Sequence, residues 1–137
     1  MDLKKFKNIN LWEIALLVIT FLFGMGLNLF IEVPKKIDTA SFWGSFGSWI
    51  LRVHMTLAVA ILVLSIIILV GSKNFKKTVR MNSLFGLISV LIAITGGVLF
   101  TFFGTNDIFS YIMAIGFIIA LMIYTSMLSI IKKDRIS

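Results

Sequence analysis

The stretch GSWILRVHMTLAVAILVLSIIILV, residues 47–70, decides the fold. From Leu57 to Val70 it carries a single polar residue, Ser65. A helix needs about 20 apolar residues, at about 1.5 Å each, to cross roughly 30 Å of hydrocarbon. Lipid offers no hydrogen bonds, so a spanning segment must pair its backbone groups within itself, and for a run of this length that means an α-helix. Working outward, the same reading applies to LWEIALLVITFLFGMGLNLFIEV at 11–33 and to the runs at 83–103 and 107–131. The expectation is an all-α polytopic membrane protein: an antiparallel four-helix transmembrane bundle forming one integral membrane domain over residues 1–137.

Composition agrees. The chain is 59% hydrophobic with a mean hydropathy of +1.05, whereas soluble domains are about 45–50% apolar. It contains no cysteine, which excludes disulfides, cysteine-held iron–sulfur clusters and thiolate catalysis. The net charge of +7 arises mainly from Lys and Arg flanking the apolar runs, where they set orientation and meet anionic head groups. No basic stripe interleaved with aromatics is present, so nucleic acid is not an expected partner; the lipid bilayer is. Lys4, Lys5 and Lys7 precede an apolar stretch too long for a signal peptide and lacking a nearby small-x-small cleavage site, which predicts a retained helix.

Basic residues also fix the expected orientation. Lys4, Lys5, Lys7, Lys73, Lys76, Lys77, Arg80, Lys132, Lys133 and Arg135 fall on one side. Lys35, Lys36 and Arg52 fall on the other. The positive-inside rule then puts both termini in the cytoplasm of a multi-pass protein of the cell membrane. Trp12, Trp43, Trp49 and Tyr111 read as interface anchors. Asp107, after GTN, suits the start of the fourth helix, where its charge meets the positive end of the helix dipole. The loop PKKIDTASFWGSFGS, residues 34–48, is expected along the outer surface, with Phe42, Trp43 and Phe46 in the interface. Small residues that permit close helix approach mark inward faces: Ser89, Ala93 and Gly97 in the third helix, Ala58 and Ser65 in the second, Ser110 and Ala114 in the fourth.

His54, the only histidine, lies roughly 10 Å below the outer surface at 1.5 Å per residue. It shares a helical face with Ala58, Ile61 and Ser65, so it is expected to point inward; Arg52 points elsewhere and can snorkel to the interface. At a similar level stand Met25, Asn28 and Glu32 of the first helix, Thr101 of the third, and Asp107, Ser110, Tyr111 and Met113 of the fourth. Polar groups gathered in one half of a bundle are a site hypothesis, here in the outer half, the cytoplasmic halves reading as almost purely apolar. Histidine with a thioether at similar depth suits haem iron. Met25, between two glycines, and Met113 are candidate second ligands, and Arg52 could meet a propionate. The bland alternative is a histidine hydrogen-bonded to Glu32, Asn28 or a neighbour's carbonyl, with the methionines as packing.

Enzyme readings lack the residues they need. A catalytic zinc site takes three protein ligands, usually several of them His or Cys; no nucleophile elbow surrounds the serines of FGSF and FGSW; no phosphate or dinucleotide loop occurs. No catalytic residue is assigned. Four spans with a glutamate in the first also suggest the small multidrug exporters. Glu13, however, sits beside Trp12 at the cytoplasmic edge and reads as a solvated interfacial acid. The charge bias is unlike balanced loops, and no inverted repeat is visible.

The element RVHM at the outer start of the second helix, with the count of four spans, resembles the four-helix bundles that hold b-type haem near one membrane face, as in one half of the haem A synthases or the b561-type cytochromes. That resemblance implies haem b, with Met25, Met113 or the His54 of a second copy in place of a second histidine. The segment GGVLFTFFGTNDIFSYIMAIGFIIALMIY also resembles uncharacterised small four-span prokaryotic membrane proteins. The functional expectation is a haem- or quinone-associated redox or accessory protein with its site in the outer half. The alternative is a non-catalytic structural or accessory subunit of a larger membrane complex or of a homo-oligomer.

Overall fold

The structure, a computed structural model, describes residues 1–30, 42–103 and 107–133, and the side chains of residues 1–26, 46–103 and 108–131. All the regular elements within these residues are helical: α1 (Leu3–Phe30), α2 (Phe42–Gly71), a 3₁₀ turn (Ser72–Asn74), α3 (Lys77–Phe103) and α4 (Asp107–Lys133). Their apolar stretches run 24, 29, 27 and 24 residues. Each is therefore long and apolar enough to cross a membrane, which takes about 20.

Helices α1 and α3 start about two turns earlier than the apolar runs that announced them. Hydropathy marks only the part of a helix that can sit in hydrocarbon, whereas the hydrogen-bond ladder continues through Lys4, Lys5 and Lys7 and through Lys77 and Arg80. Asp2 caps α1: its carboxylate accepts the Lys5 N–H at 2.7 Å and its carbonyl the Phe6 N–H at 3.0 Å, using up donors that a helix start leaves free. The expected outer loop is shorter than the sequence suggested. FWGSFGS, residues 42–48, is the first two turns of α2, its aromatic residues at spacings a helix can use: Phe46 and Trp49 stack at 6.4 Å. Residues 31–41, with Glu32, Lys35 and Lys36, lie outside the described residues. Asp107 begins α4 as expected.

Buried positions repeat at alternating steps of three and four. In α1 they are Phe6, Asn10, Glu13, Leu17 and Thr20; in α2, Ile61, Ser65 and Ile68; in α3, Val79, Ser83, Gly86, Val90 and Ala93; in α4, Phe117, Ala120, Tyr124, Met127 and Ile131. Such steps keep one narrow stripe of each helix facing its neighbours. The large apolar residues between them, including Leu22, Val59, Phe85 and Met122, stay exposed. Met1 and Phe6 pack on Gly71 and Phe75, with the Phe6 and Phe75 rings 4.6 Å apart, so the start of α1 and the α2–α3 turn share one end of the bundle, termed the turn end below.

The most extensive pairing, α3 with α4, rests on glycine. A Cβ on Gly96 would stand 2.7 Å from the Met113 nitrogen, and one on Gly116 would stand 2.7 Å from the Ala93 nitrogen. Two backbones approach this closely only where no side chain intervenes. Ser89 and Ala93 are buried at this seam as expected. The tight glycine of α3 is Gly96 rather than Gly97, and in α4 Gly116 does the work assigned to Ser110 and Ala114.

Gly96→Val and Gly116→Val should therefore each destabilise the protein by about 1–3 kcal/mol through overpacking. Gly26→Ala, where an added Cβ meets nothing within 4 Å, should stabilise by up to about 1 kcal/mol, the usual cost of glycine inside a helix. Unfolding in detergent micelles measures all three.

Candidate functional site

His54 is half-buried, with its ring against α1. Its Nδ1 lies 3.1 Å from the Thr20 carbonyl oxygen. A carbonyl can only accept, so Nδ1 carries the proton and, in the neutral ring, Nε2 carries the lone pair. The ring sits over Gly24: a Cβ there would be 3.0 Å from Cε1. Glycine at 24 is what lets the Cε1 edge of the imidazole come this close to the helix. The partner is thus a neighbour's carbonyl, one of the alternatives open in the sequence. The bond also holds Nε2 in a fixed direction, the arrangement in which metal-bound histidines are usually found.

The other candidates are dispersed. Met25, one residue past Gly24, falls on an exposed face of α1, 43% accessible. Met113 packs against the core, its sulfur 3.4 Å from where a Gly97 Cβ would stand. Arg52 is exposed, and its carbonyl accepts the Thr56 hydroxyl. Thr101 is exposed and donates to the Gly97 carbonyl of its own helix at 2.9 Å. Tyr111 is 67% exposed, and Ser110 is partly buried. Glu32 and the side chains of Asn28 and Asp107 lie outside the described residues.

A second polar group lies nearer the turn end, where the sequence had read as apolar. Glu13 is not a solvated interfacial acid: it is 0% exposed. The stripe that begins at Phe6 and passes through Asn10 carries it inward, while Trp12, one residue earlier, stays 66% exposed. Ser65 of α2 donates to Glu13 Oε1 at 2.5 Å, and the Tyr124 hydroxyl of α4 donates to Ser65 Oγ at 3.0 Å. Asn10 donates from Nδ2 to the Tyr124 carbonyl at 2.9 Å. Tyr124 lies over Gly86 of α3, where a Cβ would come within 2.6 Å of the ring. Among the described residues, three buried side-chain oxygens have no hydrogen-bond partner: Asn10 Oδ1, Glu13 Oε2 and Thr20 Oγ1. Such orphans are rare in proteins, and ionisable groups inside spanning helices tend to mark function.

Hydropathy hid this cluster, because single polar residues in long apolar runs barely lower the average. Projection of the three-four stripe from Phe6 would have revealed it. Between Glu13 and His54 the interior holds a cavity of about 10 Å³ with no polar lining, bounded by Leu17 of α1, Ala58 and Ile61 of α2, Ala93 of α3 and Phe117 of α4. Among the described residues no three His, Cys, Asp or Glu side chains gather as a metal site would need. No family model, curated protein or solved structure matches this chain.

Ser65→Ala removes the hydroxyl partner of Glu13 and the acceptor of Tyr124. It should cost about 1–3 kcal/mol, the penalty for stranding buried polar groups. Ser126→Ala, whose hydroxyl donates to the Ile123 carbonyl at an exposed position, should stay within about 0.5 kcal/mol. Parallel unfolding titrations in micelles compare them.

Proposed function

We propose that this is a small integral protein of the cell membrane, an antiparallel four-span bundle with both termini cytoplasmic, acting as a haem- or quinone-associated redox or accessory component. Several contacts support the antiparallel path. Thr20 pairs with His54 and Glu13 with Ser65, so positions rise in α1 as they fall in α2. Gly86 with Tyr124 and Gly96 with Met113 repeat the pattern for α3 and α4. Lys73, Lys76, Lys77 and Arg80 cluster at the turn end with the N-terminal lysines, consistent with a cytoplasmic turn end.

The observation that carries the redox reading is the bond from His54 Nδ1 to the Thr20 carbonyl. It prepares Nε2 either to ligate iron or to accept the hydroxyl proton of a quinol. The residues present would supply haem b with one protein ligand. His54 suits it, whereas Met25 lies on an exposed face and Met113 packs over Gly97, so a second copy or a membrane partner would supply the other ligand. Haem, when bound, brings a one-electron iron couple; this chain orients the imidazole and offers Arg52, two residues away, to a propionate. The same incompleteness favours the second reading, a cofactor-free accessory subunit whose role is to pack against a partner or another copy.

An absorbance spectrum of the purified protein, taken with its native mass, separates the two. The redox reading expects a Soret band that His54→Ala abolishes, in a species larger than a monomer. A haem-supplemented preparation without that band removes haem and leaves the accessory subunit. Topology has its own test, since the chain lacks cysteine. A cysteine at position 36 should react with an impermeant thiol reagent from outside intact cells, and one at position 8 should not.

A further inference from the structure

We infer that the interior of the bundle is a proton path, entered from the turn end at Glu13 and leading through the apolar cavity to Thr20 and His54. The inference goes beyond the redox reading and shares with it the placement in a membrane and the His54 ring. Glu13, Thr20 and the ring of His54 follow one another along a single interior line. Glu13 and Thr20 are seven residues apart on the buried stripe of α1, about 10 Å along the helix axis. Thr20 in turn binds the His54 ring. Glu13 Oε2 and Thr20 Oγ1 are both unpartnered, each on a fully buried side chain. The cavity falls between them, since its wall includes Leu17, halfway along that stripe, and Ala58, one turn from His54.

The ligand is a proton rather than a metal cation. Glu13 is the only ionisable carboxyl of the cluster. The cavity, which lies beyond Leu17 from it, is lined by apolar atoms alone. A proton needs no coordination shell, only a chain of groups that donate and accept. Ser65, itself held by the Tyr124 hydroxyl, donates to Glu13 Oε1 and leaves Oε2 to take up a proton from water that enters from the turn end past Asn10, whose buried Oδ1 is likewise unpartnered. In the forward step the Glu13 O–H bond breaks, and the proton passes along a short water file past Thr20 to His54 Nε2. The doubly protonated ring then turns off the Thr20 carbonyl, breaks one N–H bond to give a proton to water on the far side and swings back, leaving Glu13 as carboxylate for the next proton. Nothing is oxidised or reduced.

The cavity sets the rate. Its volume accommodates about one water, while a 10 Å gap needs roughly three at hydrogen-bond spacing. Conduction therefore waits on transient filling of an apolar space, which is unfavourable without polar partners. The path is slow as built, and a polar group on the cavity wall should speed it.

The test uses purified, haem-free protein, because iron on Nε2 would close the exit. The protein is reconstituted in liposomes with a trapped pH dye, and a valinomycin potassium potential drives proton entry. The expected result is dye acidification several-fold faster than in protein-free vesicles. E13Q should return it to the protein-free rate, since glutamine keeps an acceptor for Ser65 and loses the proton site. A58S, which alters neither the Glu13 nor the His54 side chain, should raise it several-fold. Infrared difference spectra should show a protonated-carboxyl C=O band in the wild type that E13Q lacks, and melting curves should show E13Q folded. Wild-type flux equal to that of protein-free vesicles overturns the inference, as does a folded E13Q that conducts like the wild type. An A58S rate no higher than wild type overturns the route through the cavity. The Soret measurement fails or succeeds independently of all these outcomes.

Discussion

The Ser65 hydroxyl is the point through which the four helices are tied. It donates to Glu13 of α1 and accepts from Tyr124 of α4, while belonging to α2. Tyr124 adds α3 by resting on Gly86, and returns to α1 through the Asn10 side chain on its carbonyl. Apolar stripes alone would let such helices rotate or slide at little cost, because one aliphatic contact resembles another. Hydrogen bonds between buried groups are directional, and mispairing them leaves polar atoms stranded at a cost of about 1–3 kcal/mol each. The node therefore selects one register among many that would bury similar area.

The two halves of the bundle use this principle differently. At the turn end the polar groups join three helices and converge on one carboxyl. Toward the other end His54 bonds the Thr20 carbonyl, and α3 and α4 are held by backbone approach at Gly96 and Gly116. Small residues there permit dispersion contact over a long seam. Between the two regimes lies the apolar cavity, where neither hydrogen bonds nor complete packing operate.

Much of the fold was legible in residue order. Four apolar runs announced four helices, Asp107 marked the start of α4, and the alignment of His54 with Ala58, Ile61 and Ser65 located the inner face of α2. The candidate site was less legible. Residue order places Glu13 in solvent because a charged residue beside Trp12 at the edge of a span usually marks an interface. The assignment weighed neighbours along the chain, which point in different directions on a helix, above residues three and four apart, which share a face. Met25 and Met113 were grouped with His54 by depth alone. Depth is a coordinate along the helix, and coordination also needs the angle around it.

The sequence by itself determined that the described chain would be helical, and it determined the length of each apolar stretch, because both follow from local composition and from the need of backbone groups for partners. It also held the stripe on which Asn10, Glu13 and Thr20 lie. Only the tertiary structure decided what those residues face. That Ser65 meets both Glu13 and Tyr124, that Thr20's carbonyl fixes the proton on His54 Nδ1, and that a small void separates the two groups depend on the rotation and register of one helix against another. Those are settled by contacts between residues as far as 114 positions apart, which no local pattern encodes.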